Sequence, residues 1–581
     1  MGTRGLYVYH HRGKFFVTYH HCDSYPSVLG VSMVLAVPRT NKQSVYSTWL
    51  AKTRAYYDHL LELDAAGKLV KGGPKDLDIT RTRPLCDVMI EYVYEIDLDD
   101  EVFWVNGIPM FQLECMPTPE VFLQVLGHDH YGHFATKRST PEKHLYRIAA
   151  PTQPPNEDDL VSYESFRLRD TPLSPSSNVN ADTLNTTEIH ELLGVPKDLS
   201  PPERVQTRLY ELIIGVLMSH IHFISPLLSA RATRATTLNA SHPPEYILNT
   251  TRVFVSRAFL PMVFHPKIAL RVRRLSKEQA EESLLWLHPN VCLSVGFFLD
   301  HDDHLRAAVG KVVRDIHAAA NQSSPQLKNK GTIYGVLCSL FYCVIIKVSF
   351  DSDSGGVSSF QHTSALQFLP SRFAEGPSTP GITALLRLVS RCNDTLYETV
   401  LRESPFKAAL ASTSTHSPES DAQASAECNV AVGVEAEVSS YFHRLPPELV
   451  AKIASFVPDL MSLLAFGTLN STTKTQVNHE LSFPFIGNHH LLDIDSTSAV
   501  GGERGDPRVD DDEFDGGGTH DDERGLTTGT FLALNAESQP KRLCVHNGGQ
   551  RRRGGPADGC YPIFTRSTKN NPYLLRAREV D

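Results

Sequence analysis

Short apolar runs set between turn residues open the chain. Leu6–His10 and Phe15–His20 are β-prone stretches on either side of Arg12-Gly13, a pattern that predicts a hairpin. Asp23-Ser24-Tyr25-Pro26 predicts a turn leading into a helix. The period then lengthens: Val45, Trp49, Leu50, Tyr56, Leu60 and Leu61 keep a helical spacing over Gln43–Leu63. Met89–Asp97 alternates as a strand should. Val102–Val105 and Pro109–Leu113 flank Asn106-Gly107, a strong hairpin signal, and Pro119–Leu126 predicts a short helix. Residues 1–135 therefore read as an α+β domain of hairpins and helices.

Residues 136–205 are rich in Ser, Thr, Pro, Asn and Asp without sustained apolar periodicity, and predict a linker. A second mixed α/β region is expected over 206–405. Its elements are a central helix at Arg204–Phe223, a capping box at Ser276–Gln279 opening a helix through Leu284, Leu285 and Leu287, and an amphipathic helix at His304–Ala320. Strands are expected at Gly335–Phe350 and Val357–Leu369, and a final helix starts at Thr379-Pro380. Residues 406–440 form a Ser/Ala/Thr-rich linker. Beyond 485 the acidic runs Asp510–Asp515 and Asp521–Glu523, set among glycines, predict a disordered tail over 486–581.

Between linker and tail, 441–485 carries a distinct pattern. Leu445, Leu449 and Ile453 recur every four residues, and Val450 and Phe456 widen the row into one apolar helix face. Pro446 and Pro447 suit a first helical turn, whose N–H groups have no partner within the helix. Val457-Pro458-Asp459 stops the helix, and Leu460, Leu463 and Leu464 open a second one. The pattern Leu-Pro-Pro-Glu-Leu-x3-Ile followed by a Leu-rich helix resembles an F-box, the helical module that docks substrate receptors onto the Skp adaptor of cullin–RING ubiquitin ligases. The resemblance covers about thirty of 581 residues and rests on Leu445, Pro446, Glu448, Leu449, Ile453, Leu460, Leu463 and Leu464. It implies a Skp-type adaptor and a protein substrate as partners, with Leu449, Ile453, Leu460 and Leu464 as docking anchors. The sequence departs from the F-box pattern after Gly467, where Asn470-Ser-Thr-Thr-Lys-Thr stands in place of a third apolar and basic helix.

The N-terminal region resembles uncharacterised proteins common in basidiomycete fungi, with bacterial relatives. These begin Thr-Arg-Gly and continue Tyr-x-His-x-Asp-Ser-Tyr-Pro-x3-Gly. The matching residues are Thr3, Arg4, Gly5, Gly13, Tyr19, His21, Asp23, Ser24, Tyr25, Pro26 and Gly30. This resemblance implies a domain and no activity.

A net charge of −10 spread along the chain argues against nucleic-acid binding, which relies on a basic face. Ten cysteines without a C-x-x-C pair, and no secretory signal, predict reduced thiols in a cytoplasmic or nuclear protein. Lys541-Arg542 with Arg551–Arg553 offers a bipartite import signal or a solvating basic tail. The apolar runs Ile333–Ile346 and Leu209–Ala230 are too short or too polar to cross a bilayer.

Metal chemistry has one candidate: His128, His130 and His133, with Asp129, lie within six residues and could converge on zinc or iron. Asp300–His304 could add further ligands. His21 with Asp23 could form an acid/base couple, and Arg4 could hold an anion or pair with Asp23. His10, His11, His20 and His21 lie on hairpin strands whose alternation sends adjacent histidines to opposite faces. No G-x-S-x-G elbow or phosphate-binding loop is present. The reading that follows is an adaptor without a cofactor and without catalysis of its own. Its alternatives are an enzyme or ligand-binding domain on 1–135, and a structural protein with a degenerate F-box.

Overall fold

In the computed structural model, the described residues form three large sheets, a two-stranded hairpin sheet and a set of packed helices, mixed α and β throughout. The structure describes residues 3–39, 43–69, 77–87, 89–128, 134–137, 139–146, 154–170, 186–218, 245–265, 268, 283–322, 331–350, 357–369, 379–392, 396–404, 445–455, 457, 460–487, 489–494, 528–534, 540–547, 561–562 and 575–580. The chain divides into two units, one of 1–154 with 217–244 and 371–377, the other of 155–216, 245–370 and 378–581.

The first unit follows the alternation closely. Strands β1 (Gly5–His11) and β2 (Lys14–His20) form the expected hairpin, and Arg12 and Gly13 both take positive φ, as a two-residue primed turn requires. A turn of π-helix at Pro26–Gly30 leads into α1 (Val31–Ala36), and α2 spans Gln43–Ala65. β3 (Leu77–Thr80), β4 (Tyr92–Asp97), β5 (Val102–Val105) and β6 (Ile108–Gln112) complete a sheet ordered β3-β2-β1-β4-β5-β6. Its one parallel pairing, β1 with β4, places His10 beside Asp97 and Val8 beside Glu95. Asn106-Gly107 makes the second primed turn, with both φ positive. Thr118 caps α3 (Pro119–Val125), which runs into a small hairpin of β7 (Leu126–His128) and β8 (Phe134–Thr136).

In the second unit, helices stand in the described parts of the expected 136–205 linker, at 157–170, 189–193 and 201–205; residues 171–185 lie outside the described residues. Helix α4 (Glu157–Asp170) buries Tyr163 and Phe166, α5 (Ile189–Leu193) buries Leu192 and Leu193, and α6 (Pro201–Met218) begins inside the supposed linker. α7 (Glu245–Ala258) and β9 (Val263–Phe264) follow. β10 (Leu285–His288), β11 (Val291–Val295), β12 (Thr332–Cys338), β13 (Tyr342–Phe350) and β14 (Val357–His362) form the second sheet, with β15 (Leu366–Gln367) against β13. Leu285 and Leu287 thus lie on a strand and not on the expected helix. Gly335–Phe350 is a hairpin folded at Ser339–Phe341, not one strand. α8 (Asp302–Gln322) and α4 pack together against this sheet, α4 setting Tyr163 against Phe360 of β14, and one core holds Tyr163 and Phe166 with Val344, Ile346 and Val348.

α9 (Pro380–Arg391) begins on its proline as expected, and α10 (Leu396–Glu403) follows. The 441–485 region folds as three helices: α11 (Pro447–Ser455), α12 (Leu460–Phe466) and α13 (Ser471–Glu480). The third helix forms on the polar stretch because Asn470 and Thr473 make a reciprocal capping box, and Thr473, Val477 and Glu480 supply its buried side.

The tail past 485 also departs from expectation. Its described residues form β16 (Phe485–Ile486), β17 (His489–Ile494), β18 (Thr528–Leu534), β19 (Pro540–Asn547), β20 (Tyr561–Pro562) and β21 (Leu575–Val580), in a sheet that ends on β9. Leu491, Phe531, Ala533, Leu543 and Val545 are buried there. The acidic glycine runs and Arg551–Arg553 lie outside the described residues, as does all of 406–440. Among the described residues, no helix is long and apolar enough to cross a membrane.

Candidate functional site

The Thr-Arg-Gly and Asp-Ser-Tyr-Pro motifs meet, but they make a packing knot. Ser24 N donates to Thr3 Oγ1 at 3.1 Å, Tyr94 Oη donates to Ser24 O at 3.1 Å, and a Cβ on Gly5 would stand 2.6 Å from Ser24 Cβ. The expected His21–Asp23 couple does not form. His21 is exposed and 3.4 Å from Tyr19 Oη, and Asp23 is an exposed turn residue with positive φ. Nor does Arg4 pair with Asp23; its Nη1 lies 4.0 Å from Met89 Sδ. Tyr25 is exposed and its carbonyl accepts from Val28 and Gly30, while Pro26 starts the π-helical turn. Of the histidine cluster, His128 ends β7 with its ring 4.6 Å from Phe134, and His130 and His133 lie outside the described residues. His301 and His304 belong to the second unit, their rings 6.4 Å apart beside Phe298.

A different cluster of ionisable groups sits at the C-terminal ends of β1 and β4. Alternation puts Glu95 and Asp97 on one face of β4, and the parallel register brings His10 onto the same face. His10 Nδ1 lies 2.9 Å from Asp97 Oδ1, an ion-pair contact whose angles fall short of a hydrogen bond, and His10 Nε2 lies 3.8 Å from Asp99 Oδ2. Asp97 Oδ1 also accepts the backbone N–H groups of Asp99 and Asp100, both at 3.0 Å. Asp97 Oδ2 accepts no hydrogen bond among the described residues. Arg83 reaches in from the segment after β3. Its Nε and Nη2 donate to the two Glu95 oxygens at 3.0 and 2.9 Å, and Nη2 is 3.5 Å from Asp97 Oδ2. The guanidinium stacks 3.8 Å from the Trp104 ring, and the His10 ring stacks on Phe15.

The side chains of Glu95 and Asp97 are 2% and 1% exposed, so each departs from ordinary carboxylate behaviour. Burial raises the Glu95 pKa despite Arg83. For Asp97 burial acts in the same upward sense, but His10, Arg83 and the Asp100 amide outweigh it and the pKa falls. Burial opposes a charge on His10, yet its contact with Asp97 and the charges of Asp97, Glu95 and Asp99 carry its pKa upward. His11, one residue on, faces the other side of the sheet as alternation requires, 2.8 Å from Asp58 and 3.2 Å from Asp99. Sequence reasoning noted His10 but passed over Glu95 and Asp97, which read as the polar half of an amphipathic strand. The odd signal was Glu95 and Asp97, two apart, set around Ile96 and directly after Tyr92-Val93-Tyr94.

The F-box-like positions divide between surface and core. Leu449 and Ile453, four residues apart on α11, are 48% and 37% exposed, Leu445 is half-buried and Pro446 exposed. Val450 and Ala454, one position further round, are sealed. Leu460, Leu463 and Leu464, expected as docking anchors, are instead buried with Leu396, Tyr397, Val400, Val477, Leu481 and Phe485 in the chain's own core. Tyr397 fixes that arrangement, its hydroxyl donating to Leu464 O at 3.2 Å and its N–H to Asn478 Oδ1 at 2.7 Å. Two helices that lack a partner in sequence are therefore largely covered by α10 and α13, and α11 keeps the apolar surface. No protein-family model, no curated protein and no solved structure matches this chain.

Proposed function

We propose that this chain is a docking adaptor of the F-box kind, which presents α11 to a Skp-type partner protein and carries a protein substrate on another part of its surface. The observation behind this reading is the exposed pair Leu449 and Ile453 beside Pro446 and Leu445, on a helix whose opposite side, Val450 and Ala454, is anchored in the core. A rigidly mounted helix with apolar residues at i and i+4 is what a groove-binding partner reads. Fully burying an exposed Leu or Ile is worth about 1.5–3 kcal/mol; with Leu449 48% and Ile453 37% exposed, the pair contributes about 1–3 kcal/mol, and the rest of a complex comes from the contacts around them. The docking face is α11 alone, since the α12 leucines are spent on the chain's own core. Ubiquitin transfer in such an assembly belongs to the ligase, and the chain needs no cofactor for its part.

The test is co-purification of the full chain with a Skp-type adaptor. Leu449→Asp with Ile453→Asp should abolish capture and leave the thermal midpoint where it was, because both side chains already face solvent. Capture of the double variant at wild-type yield would remove the docking assignment.

A further inference from the structure

We propose that His10, Asp97 and Glu95 form a binding site for a divalent transition-metal cation of the Zn2+ or Mn2+ class, separate from the α11 docking face. One ligand atom from each of the three residues lies within 4.8 Å of the others. The 2.9 Å between His10 Nδ1 and Asp97 Oδ1 is too poorly aligned for a hydrogen bond. Two ligands about 2.1 Å from one metal stand about 3.0 Å apart at the right angle of a five- or six-coordinate site and about 3.4 Å apart at the tetrahedral angle, so 2.9 Å is within a small side-chain adjustment of either. Asp97 Oδ2, on a side chain 1% exposed, accepts no hydrogen bond among the described residues, and the Arg83 Nη2 stands 3.5 Å from it.

The charge balance points the same way. Among the described residues, the carboxylates of Asp97, Glu95 and Asp99 face the Arg83 guanidinium, with His10 against Asp97 and Asp99 and His11 against Asp99. With His10 neutral and ligating, a divalent ion offsets the negative charge that remains. Arg83 is compatible with this arrangement. It uses one lone pair on each Glu95 oxygen and leaves a second on each, and it fixes the carboxylate from behind as outer partners of metal ligands do. Asp99, 3.8 Å from His10 Nε2, stands where a carboxylate would orient a ligating imidazole. The ligands come from paired strands, so the site is held rigidly. One imidazole with two carboxylates favours a first-row transition ion over Mg2+, which takes oxygen ligands and keeps its water.

The experiment uses the full chain, stripped with a chelator and dialysed at pH 7.5 against Zn2+, then against Mg2+. One equivalent of Zn2+ per chain and no Mg2+ is expected. His10→Gln and Asp97→Asn, each checked for native circular dichroism, should lose that equivalent, and His130→Ala with His133→Ala should keep it. X-ray absorption of the wild-type zinc form gives a readout independent of the variants: one imidazole among oxygen ligands is expected. No uptake by wild type, full uptake by folded His10→Gln, or a shell of two or more imidazoles would each overturn the site.

Discussion

Gly5 shows how closely the N-terminal motif is set by packing. A methyl group there would press on Ser24 Cβ at 2.6 Å and on the Tyr92 carbonyl at 2.9 Å, with backbone on one side and a hydrogen-bonded turn on the other. Gly5→Ala should therefore cost about 1–3 kcal/mol, the usual range for overpacking, seen as a lower unfolding midpoint of the first unit. An unchanged midpoint would mean that the Thr3–Ser24 knot is loose. His490 is the opposite case, a polar group buried at a cost. Burial outweighs the nearby Glu480 carboxylate, 3.9 Å away, and holds its pKa down to about 4, with His479 adding to the depression. The unfolded chain takes up this proton near pH 6.5 and the folded chain does not, so stability is whole above pH 6.5 and declines as pH falls toward 4, by roughly 3 kcal/mol at most. His490→Phe, which keeps a ring against Phe483 and Phe485, should flatten that part of the stability–pH profile; a profile identical to wild type would place the acid sensitivity elsewhere.

Elements with a clear period were legible in the sequence, and those formed by tertiary context were not. The two primed turns, α2, α8 and α9 are where alternation, Asn106-Gly107 or a leading proline put them. α4 was hidden because its Tyr163 and Phe166 stand alone in a polar stretch, and only the facing α8 and β14 give them a core. α13 was hidden because its period is weak and its start is a side-chain capping box without an acid at the third position. The leucine pattern at 445–464 is helical, as its period implies, but a pattern cannot say which of its rows the chain itself will cover. That division has a direct consequence. Leu464→Ala removes a fully buried side chain from the core beneath Tyr397 and should destabilise the second unit by about 2–5 kcal/mol. Leu449→Ala, on the same module but at the surface, should stay within about 0.5 kcal/mol. Urea denaturation of both variants would show the contrast, and equal losses would mean that the exposed row of α11 is packed after all.

Across the whole chain, the largest gap between sequence and structure is the region after 485. Glycine, acidic and arginine runs dominate its composition, and composition averaged over a window conceals short strands between them. β17, β18 and β19 each carry buried residues, among them Leu491, Phe531 and Leu543, and the sheet they build runs on through β16 to β9, more than two hundred residues earlier in the chain. β16 also contributes Phe485 to the core that holds α10, α12 and α13. The far C-terminal strands thus lie in one continuous sheet with a strand that borders the mount of α11. A solvating tail could be removed without effect; a sheet strand could not, because its loss leaves the N–H and C=O groups of β17 without partners and the Leu491 side unsupported. Truncation after residue 525 should therefore lower the unfolding midpoint of the second unit and weaken adaptor capture through α11, even though no α11 residue is touched. Limited proteolysis of the intact chain gives the matching observation: 528–534 and 540–547 should persist in a protected fragment. A truncated protein with wild-type midpoint and wild-type capture would return this region to the status of an appendage.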